Sequence, residues 1–192
     1  MSRPQPPAPA KLIIGLILKE KKTVGEVAEE LIHTFGRVDL MSPWLPFDFT
    51  TYYQAEMGRP LFRRLFAFGP LIEQTALAGI KLKTNDLEKK WSQKEKRRIN
   101  LDPGYLLAER FVLATGKNFA HRIYLEEGIY ADLTLVFRKG GFHPLPWTYP
   151  GYRQPDMQRF LTQIRSKYMH DLLSAQAGVT ANDSQHDRLC TI

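Results

Sequence analysis

The chain of 192 residues lacks the common signatures of catalysis and metal binding. Its single cysteine, Cys190, excludes an internal disulfide and a cysteine metal cage. No HExxH, HxH or CxxC spacing occurs, so no metal site is expected, and GxGxxG and GxSxG are also absent. The segment around Gly116-Lys117 fails as a phosphate-binding loop, because Phe111 and Asn118 stand where that motif requires Gly and Ser or Thr.

The chain also lacks a hydrophobic run long enough to cross a membrane. The apolar run 12–18 has seven residues, includes a glycine and is followed by the charged segment 19–22 instead of a cleavage site. The hydrophobic content of 43% and the charged content of 24% are those of a soluble globular protein. We therefore predict a cytoplasmic protein without a membrane partner, and the scarcity of cysteine agrees with a reducing compartment.

Low-complexity sequence is confined to the two ends. Residues 1–10 contain four prolines and are expected to form a flexible arm. Residues 175–192 have little hydrophobic pattern and are expected to be a disordered tail. The 11–174 segment is long enough for one sizeable core, so a single domain is predicted.

The net charge of +7 is concentrated in one segment. Residues 89–98 contain six basic residues and one acidic residue, which leaves +2 for the rest of the chain. This segment could be the solvated end of a helix, a partner-docking patch, or a surface for RNA or phosphate. The candidate nucleic-acid residues are Lys89, Lys90, Trp91, Lys94, Lys96, Arg97 and Arg98.

Hydrophobic periodicity predicts an α+β fold. The first predicted elements are strand 11–18, helix 23–35, strands 38–42 and 61–68, helix 73–95 and strand 97–101. Capping boxes are expected at Thr23–Glu26 and at Asn85–Glu88, the latter being a second possible helix start. This order is that of a ferredoxin-like, or split βαβ, unit. An antiparallel extension follows, with strand 110–115, hairpin 121–125 and 129–137, and helix 155–173.

The register of the hairpin brings together side chains that suit a binding site. Pairing Leu125 with Ile129 places Tyr124 opposite Tyr130 and Arg122 opposite Asp132, on the face away from the apolar one. His121 shares the opposite face with Ile123 and Leu125, so it is expected to point toward the core. The polar face could be solvated decoration or the floor of a site, and both interpretations stay open.

Two Pro-rich loops hold eight of the 22 aromatic residues, in segments 43–60 and 145–153. Aromatics in rigid loops are typical of a packed or ligand-binding surface. Asp102-Pro103-Gly104-Tyr105 and Tyr149-Pro150-Gly151-Tyr152 are both predicted to be type II turns that aim their side chains at this surface. We expect Trp44, Tyr52 or Tyr53, Asp102, and Trp147 or Tyr149 to line one concavity.

The candidate residues fall into three chemical roles. Arg122 and Arg153 are candidates for holding an anion, because guanidinium matches carboxylate and phosphate. Asp102 and His121 are the candidates for proton transfer. The candidate ligand-binding residues are Asp48, Tyr52, Tyr53, Glu56, Tyr105, Arg122, Tyr124, Tyr130, Asp132, Trp147, Tyr149, Tyr152 and Arg153.

Four segments together resemble a prokaryotic family catalogued as domain of unknown function 4416. They read SPWLPFDFTTYYQAEMG, KRRINLDPGYL, FAHRIYLEEGIYADLTLVF and PLPWTYPGYR, and the resemblance spans roughly residues 10–173. It implies a cytosolic bacterial or archaeal protein of one domain. It implies no activity and no catalytic residues.

Three functions remain after these observations. The first is binding, with or without turnover, of a small anionic or phosphorylated ligand such as a nucleotide in an aromatic-lined cleft. The second is RNA binding through residues 89–98 and the loop aromatics. The third is a structural or adaptor role in which the aromatic loops form a protein interface. The sequence indicates neither a cofactor nor an oligomeric state.

Overall fold

The computed structural model describes residues 2–94 and 96–186, with side chains described up to residue 174. Its strands are β1 (Ala10–Leu18), β2 (Val38–Met41), β3 (Leu45–Pro46), β4 (Phe62–Ile72), β5 (Ser92–Gln93), β6 (Lys96–Arg97), β7 (Ile99–Leu106), β8 (Arg110–Thr115), β9 (Arg122–Glu126), β10 (Ile129–Arg138) and β11 (Gly141–Pro144). Its α-helices are α1 (Val24–Phe35), α2 (Gln54–Met57), α3 (Leu77–Lys90) and α4 (Pro155–His186).

One antiparallel sheet of nine strands dominates the architecture. Its order is β11-β10-β8-β7-β1-β4-β2, with β3 beside β4 and β9 beside β10, while β5 and β6 form a separate ribbon. The prediction of an α+β fold with helices packed on one sheet is confirmed, and the sheet is larger than predicted.

Strand β1 lies at the centre, between β4 and β7, and all nine of its residues are buried. Successive side chains of this strand point to opposite faces of the sheet, so the core has one apolar layer on each face. On one face, Ile14 and Leu16 pack with Val27 of α1 and Ile80 of α3. The other face packs against α4 and against the loops between β2 and β4 and between β11 and α4. The continuous apolar sequence of β1 therefore reflects burial on both faces.

The predicted capping boxes are wrong. Thr23 lies in a 3-10 turn before α1, and its hydroxyl donates to the Glu20 carbonyl instead of capping the helix. Glu88 lies inside α3, because a 3-10 turn at Gln74–Ala76 leads into the helix well before Asn85. The Glu88 carboxylate instead accepts a hydrogen bond from the Leu101 backbone N–H at 2.6 Å.

The predicted type II turn at residues 102–105 is also wrong. These residues continue β7, where Asp102 pairs with Gly15 and Gly104 pairs with both Ile13 and Leu113. Gly104 is required here by close packing, since a Cβ would clash with the Val112 carbonyl oxygen. Tertiary pairing thus overrides the local preference of the Pro-Gly sequence for a turn.

Residues 149–152 do form a turn, of a different type. The Tyr152 N–H donates to the Tyr149 carbonyl at 2.9 Å, and Pro150–Tyr152 is a 3-10 helix. Gly151 is not among the glycines with positive φ, so the type II geometry is wrong. The turn still holds both tyrosines rigidly.

The hairpin of β9 and β10 has the predicted pairing of Tyr124 with Tyr130 and of Arg122 with Asp132. The predicted pairing of Leu125 with Ile129 is wrong: Ile129 pairs with Glu126, and the two loop residues, Glu127 and Gly128, both adopt positive φ as in a type I′ turn. Ile123 and Leu125 are 69% and 36% exposed, so the prediction that their face is turned to the core is wrong. The hairpin extends beyond the packed core.

The N-terminal segment, which was predicted to be a flexible arm, is hydrogen-bonded to the domain at Ala8 and Pro9. The Tyr168 hydroxyl donates to the Pro9 carbonyl at 2.8 Å, and Gln74 donates to the Ala8 carbonyl at 2.9 Å. Helix α4 continues past its predicted end at residue 173. Residues 187–192 of the predicted tail lie outside the described residues, so the disordered tail and the single domain stay predictions.

No helix in the described part of the chain is long and apolar enough to span a membrane.

Candidate functional site

A polar cluster lies on the sheet face that is turned toward α4 and the two aromatic loops. Across β4, β1 and β7, Arg63 pairs with Ile17 and Ile17 with Asn100, while Gly15 pairs with Asp102. Directly paired residues point to the same face. Arg63, Asn100 and Asp102 therefore share one face, and Gly15 leaves space between them.

The aromatic loops supply the roof of this cluster. The Tyr152 hydroxyl lies above Gly15, where a Cβ would be 3.6 Å from it. We refer to the assembly as the Arg63 site; it comprises Arg63, Asn100, Asp102, Tyr53, Tyr149 and Tyr152. None of its polar groups comes from α1 or α3, which pack on the opposite face.

Arg63 is the most unusual residue of this assembly. It is 3% exposed, and its guanidinium lies 4.5 Å from the ring centre of Phe47 and 4.9 Å from that of Tyr152. Nε and Nη1 are buried and have no hydrogen-bond partner, and no carboxylate of the described residues lies within ion-pair distance. Buried cations are normally paired, and aromatic faces compensate only in part.

The Arg63 site contains three protonated phenols, two of which, Tyr149 and Tyr152, have rings within 6 Å of the guanidinium. Burial raises the pKa of Tyr53 and of Tyr152, and the negative charge of Asp102 adds to both shifts. Burial also raises the pKa of Tyr149, against the opposing effect of the Arg63 charge. The Tyr149 hydroxyl is buried and has no hydrogen-bond partner of normal geometry, although Thr50 lies beside it. All three hydroxyls are thus neutral donors at physiological pH.

A second arginine closes one end of the assembly. Arg97 donates from Nε and Nη2 to the two Glu56 oxygens at 2.8 and 2.7 Å, and from Nη1 to Asn100 Oδ1 at 2.9 Å. These hydrogen bonds lower the pKa of Glu56. Nδ2 of Asn100 is left buried without a partner. The Arg97–Glu56 pair therefore fixes the loop to the sheet and orients the amide of Asn100.

A small cavity of about 110 Å³ lies near Arg63, although the guanidinium is not part of its lining. Its lining is formed by Leu45, Pro46, Phe49, Gly151, Gln154, Pro155, Asp156 and Met157. Leu45 pairs with Arg63 across β3 and β4, and a Cβ on Gly151 would lie 2.7 Å from Arg63 Nη1. Gly151 thus borders both the cavity and the guanidinium.

The structure brings only part of the predicted ligand-binding set to this site. Tyr53, Tyr149 and Tyr152 belong to it, and Glu56 supports it through Arg97. Asp102, which was predicted for proton transfer, also lies in the site. Tyr52 is exposed and packs edge-on against Tyr53, with a ring separation of 4.9 Å. Two further members also lie elsewhere: Asp48 is exposed on the loop and Tyr105 is part of the apolar core.

The prediction that the loop aromatics line one concavity is wrong for two tryptophans, Trp44 and Trp147. Trp44 packs against Phe62 and Arg64, which lies on the opposite face of β4 from Arg63. Trp147 stacks on His121 at 5.1 Å, and its Nε1 donates to the Leu133 carbonyl at 2.8 Å. Both rings lie in the loops predicted from the sequence, but residues of the same loop pack against different parts of the sheet.

Arg153 is occupied by its own loop. Its guanidinium donates to the carbonyls of Thr148 and Pro146 at 2.7 and 2.8 Å, and to that of Leu145 at 3.3 Å. These bonds stabilise the loop that carries Tyr149 and Tyr152. Arg153 therefore positions the roof of the Arg63 site.

The hairpin residues form a neighbouring cluster. Arg122 donates from Nε to Asp132 Oδ2 at 2.9 Å and from Nη1 to the Lys117 carbonyl at 2.8 Å. His121 Nε2 lies 3.4 Å from the same carboxylate without a hydrogen bond of good geometry, and its ring stacks on Trp147. His121 thus faces the polar cluster instead of the core. The charge of Asp132 contributes to the raised pKa of Tyr152, so the two clusters are electrostatically coupled.

Tyr124 and Tyr130 complete this hairpin cluster. Their rings meet edge to face at 5.4 Å, as the cross-strand register predicts. Tyr124 is largely exposed, whereas Tyr130 is half-buried. The pair lies at the outer edge of the sheet, away from the guanidinium of Arg63.

The basic segment 89–98 is divided by its ion pairs. Lys89 contacts Asp86 at 2.9 Å, Lys90 contacts Glu30 at 2.7 Å, and Arg98 contacts Glu20 at 3.8 Å. Trp91 also donates to Glu30, at 3.1 Å. Since Arg97 is directed inward, only Lys94 and Lys96 lack an acidic partner among the residues described. The segment is not a continuous surface of unpaired cations.

Sequence reasoning missed Arg63, Asn100 and Gly15. One signal was present: Arg63 and Arg64 are adjacent in an otherwise apolar strand, so alternation requires them to point to opposite faces. Gly15 and Asn100 have no comparable signal, because their importance depends on which strands become neighbours. In residues 2–94 and 96–186, no group of three or more His, Cys, Asp or Glu is arranged to hold a metal ion.

Comparison with known proteins gives one match. The family model described as Domain of unknown function (DUF4416) matches residues 8–168, which confirms the resemblance seen in the sequence. No curated protein and no solved structure matches the chain.

Proposed function

The chain belongs to the DUF4416 family, and we propose that it binds a small anionic ligand through the guanidinium of Arg63. One observation carries the proposal: two nitrogens of a buried cation have no acceptor. A carboxylate or phosphate oxygen would supply the missing acceptors and the missing negative charge at once. Arg122 and Arg153 are weaker candidates, since Asp132 and loop carbonyls already occupy them.

The neighbouring groups suit the same ligand. The protonated hydroxyl of Tyr149 and the amide Nδ2 of Asn100 are further donors without partners. Asp102 offers an acceptor for a hydroxyl or amino group of the ligand, and it is the group placed to take a proton if turnover occurs. The ring of Phe47 supports the guanidinium from its apolar side.

The size of the adjoining cavity favours a small ligand. Sites for drug-sized molecules have volumes of about 300–1,000 Å³, whereas this cavity measures about 110 Å³. A carboxylate or phosphate group fits such a space. The base and sugar of a nucleotide would have to lie outside it, against the exposed rings of the aromatic loops.

We further propose that β1, α1, β2, β4, α3 and β7 constitute a split βαβ unit. The strand order β7-β1-β4-β2 and the antiparallel pairing of neighbours support this assignment. The unit by itself specifies no chemistry, because this arrangement serves many unrelated functions.

We also propose a cytoplasmic location in a prokaryotic cell. The presence of one cysteine in 192 residues supports a reducing compartment. Fractionation of cells that express the native protein tests the location.

Thermal unfolding with a ligand panel tests the binding function. The panel contains inorganic phosphate, phosphate monoesters, mono- and dicarboxylates, and nucleotides. A ligand present at a hundredfold excess over its Kd should stabilise the wild type by about 2.7 kcal/mol, and Arg63→Met should abolish this shift. Arg64→Met is the matched control, because Arg64 is the adjacent arginine on the opposite face of β4; it should retain the shift. An equal shift in wild type and Arg63→Met would refute the role of Arg63.

A further inference from the structure

Strand β9 is an unprotected edge of the sheet. It pairs with β10 and with no other strand of the described chain. Further along β10, the edge is covered: β11 pairs with Leu135–Arg138, and Trp147 and Thr148 donate to the carbonyls of Leu133 and Thr134. At the start of β9 the Arg122 N–H donates to the Phe119 carbonyl at 2.9 Å, whereas no cover of this kind is present from Ile123 to Glu126 among the described residues.

The side chains of β9 do not discourage pairing. Edge strands are normally guarded by central charges, prolines or bulges. The pairing of β9 has one register irregularity, at Leu125, but its three central residues, Ile123, Tyr124 and Leu125, include no charge and no proline. Ile123 and Tyr124 are 69% and 58% exposed. An exposed apolar strand with a free edge is suited to adding another strand.

The sequence of β9 identifies the added strand, because it is complementary to itself. Antiparallel pairing of two copies about Tyr124 places Arg122 of one copy opposite Glu126 of the other, at both ends. Ile123 then faces Leu125, also twice, and Tyr124 lies on the two-fold axis. Every cross-strand pair is favourable, and a two-fold interface uses the same patch on both subunits.

Each charged end of β9 keeps a group for these contacts, although the Arg122 side chain is only 16% exposed. Arg122 uses Nε and Nη1 for Asp132 and Lys117, while Nη2 makes no hydrogen bond to the described residues. Glu126 is exposed and takes part in none of the ion pairs of the described chain. An ion pair between Arg122 of one copy and Glu126 of the other can therefore form while the internal hydrogen bonds of Arg122 stay in place.

We propose that the protein self-associates through antiparallel pairing of β9 with β9 of a second copy, which extends the sheet across the dimer. A contact of five residues per chain is small relative to a standard interface. The dimer is therefore expected to be concentration-dependent. This inference is independent of the ligand proposed for Arg63.

Sedimentation equilibrium over a concentration series measures the dimer dissociation constant. Glu126→Arg places like charges at both ends and should raise this constant by about tenfold or more. Ile123→Lys introduces a guarding charge in the centre and should abolish dimerisation. Glu127→Arg is the matched control, since it makes the same charge change one residue away, in the turn outside β9, and should leave the constant unchanged. Far-ultraviolet circular dichroism checks that each variant remains folded.

Cross-linking tests the register separately. In a Cys190→Ser background, Tyr124→Cys should yield a covalent dimer with a short bismaleimide, because residue 124 meets itself at the axis. Glu127→Cys should not, since the two turns lie at opposite ends of the paired strands.

Either of two results overturns the proposal. A wild type that is monomeric at its highest soluble concentration would exclude self-pairing and leave the edge to another protein. A dimer that survives both Glu126→Arg and Ile123→Lys would show that a different surface mediates association.

Discussion

The ammonium group of Lys11 lies 2.6 Å from Oδ2 of Asp39, and the lysine side chain has no exposed surface. The same nitrogen contacts Asp171 Oδ2 at 2.7 Å and the Gly69 carbonyl at 3.4 Å. Lys167 of α4 also contacts both carboxylates. This network joins β1, β2, β4 and α4, so it fixes the C-terminal helix to the sheet.

Replacing Lys11 with Met should destabilise the fold by about 3–5 kcal/mol, because it leaves two largely buried carboxylates with less compensating charge. Urea unfolding measures the change. Lys22→Met is the control: Lys22 is 83% exposed and contacts Glu20 at 3.4 Å, so its loss should cost no more than about 1 kcal/mol. Similar effects of the two substitutions would contradict the role assigned to Lys11.

Stability should fall at acidic pH through Asp39 and Asp171. Burial acts to raise the pKa of each carboxyl, but the hydrogen bonds and charges of Lys11 and Lys167 outweigh it, and both pKa values lie below the ordinary 3.8. A carboxyl with a lowered pKa in the folded state stabilises above its unfolded pKa and loses that contribution as pH falls through its folded pKa.

Free energies of unfolding measured from neutral pH into this acidic range should show the loss. Asp39→Asn should be less stable than the wild type at neutral pH and should lose less stability on acidification. A steeper acid dependence in Asp39→Asn than in the wild type would contradict the assignment.

Gly104→Ala should be far more disruptive than Gly15→Ala. A Cβ at Gly104 would clash with the Val112 carbonyl of the paired strand, whereas at Gly15 its nearest neighbours lie at 3.6 Å. We expect a loss of about 3 kcal/mol or more at position 104 and a smaller change at position 15, since overpacking typically costs 1–3 kcal/mol. Thermal melts compare Gly104→Ala with Gly15→Ala. Equal melting temperatures would contradict the prediction, since they would show that β8 can shift away from residue 104 at little cost.

Arg63→Met should leave the unliganded protein as stable as the wild type or stabilise it by about 1–3 kcal/mol, the range for an unsatisfied buried group. Methionine has a similar length and no orphaned donors. Arg64→Met should instead destabilise, because Arg64 donates to the Ser42 carbonyl at 2.9 Å and covers Trp44. Chemical unfolding without ligand distinguishes them. A large loss of stability in Arg63→Met would indicate a structural role for this guanidinium.

Binding to single-stranded RNA should be weak. Each phosphate contact contributes about −0.7 to the slope of log affinity against log salt. In segment 89–98 only Lys94 and Lys96 lack an acidic partner among the described residues. Two phosphate contacts give a slope of about −1.4, and we expect the measured slope to be no steeper than this. Fluorescence anisotropy at several salt concentrations measures it, and Lys94→Gln with Lys96→Gln should remove it. A much steeper slope would favour the RNA-binding hypothesis.

Local patterns determined much of the secondary structure. The apolar run of β1, the stripe of α1 and the alternation of β10 each report burial directly, so their element types were predictable. The pairing of Arg122 with Asp132 was also predicted, although the hairpin loop is one residue shorter than predicted, because a register irregularity between Ile129 and Tyr130 offsets the difference. Family membership followed from segments distributed along the chain.

The sequence by itself determined which segments form helices and strands, and which loops carry the aromatic residues. Only the tertiary structure decided which of those residues meet. The Pro-Gly segment at 102–105 became a strand because β1 and β8 pair with it on both sides. Arg63 became the centre of the site because β4 lies beside β1 and beneath the 149–152 turn, and such long-range pairing leaves no local pattern from which it could be predicted.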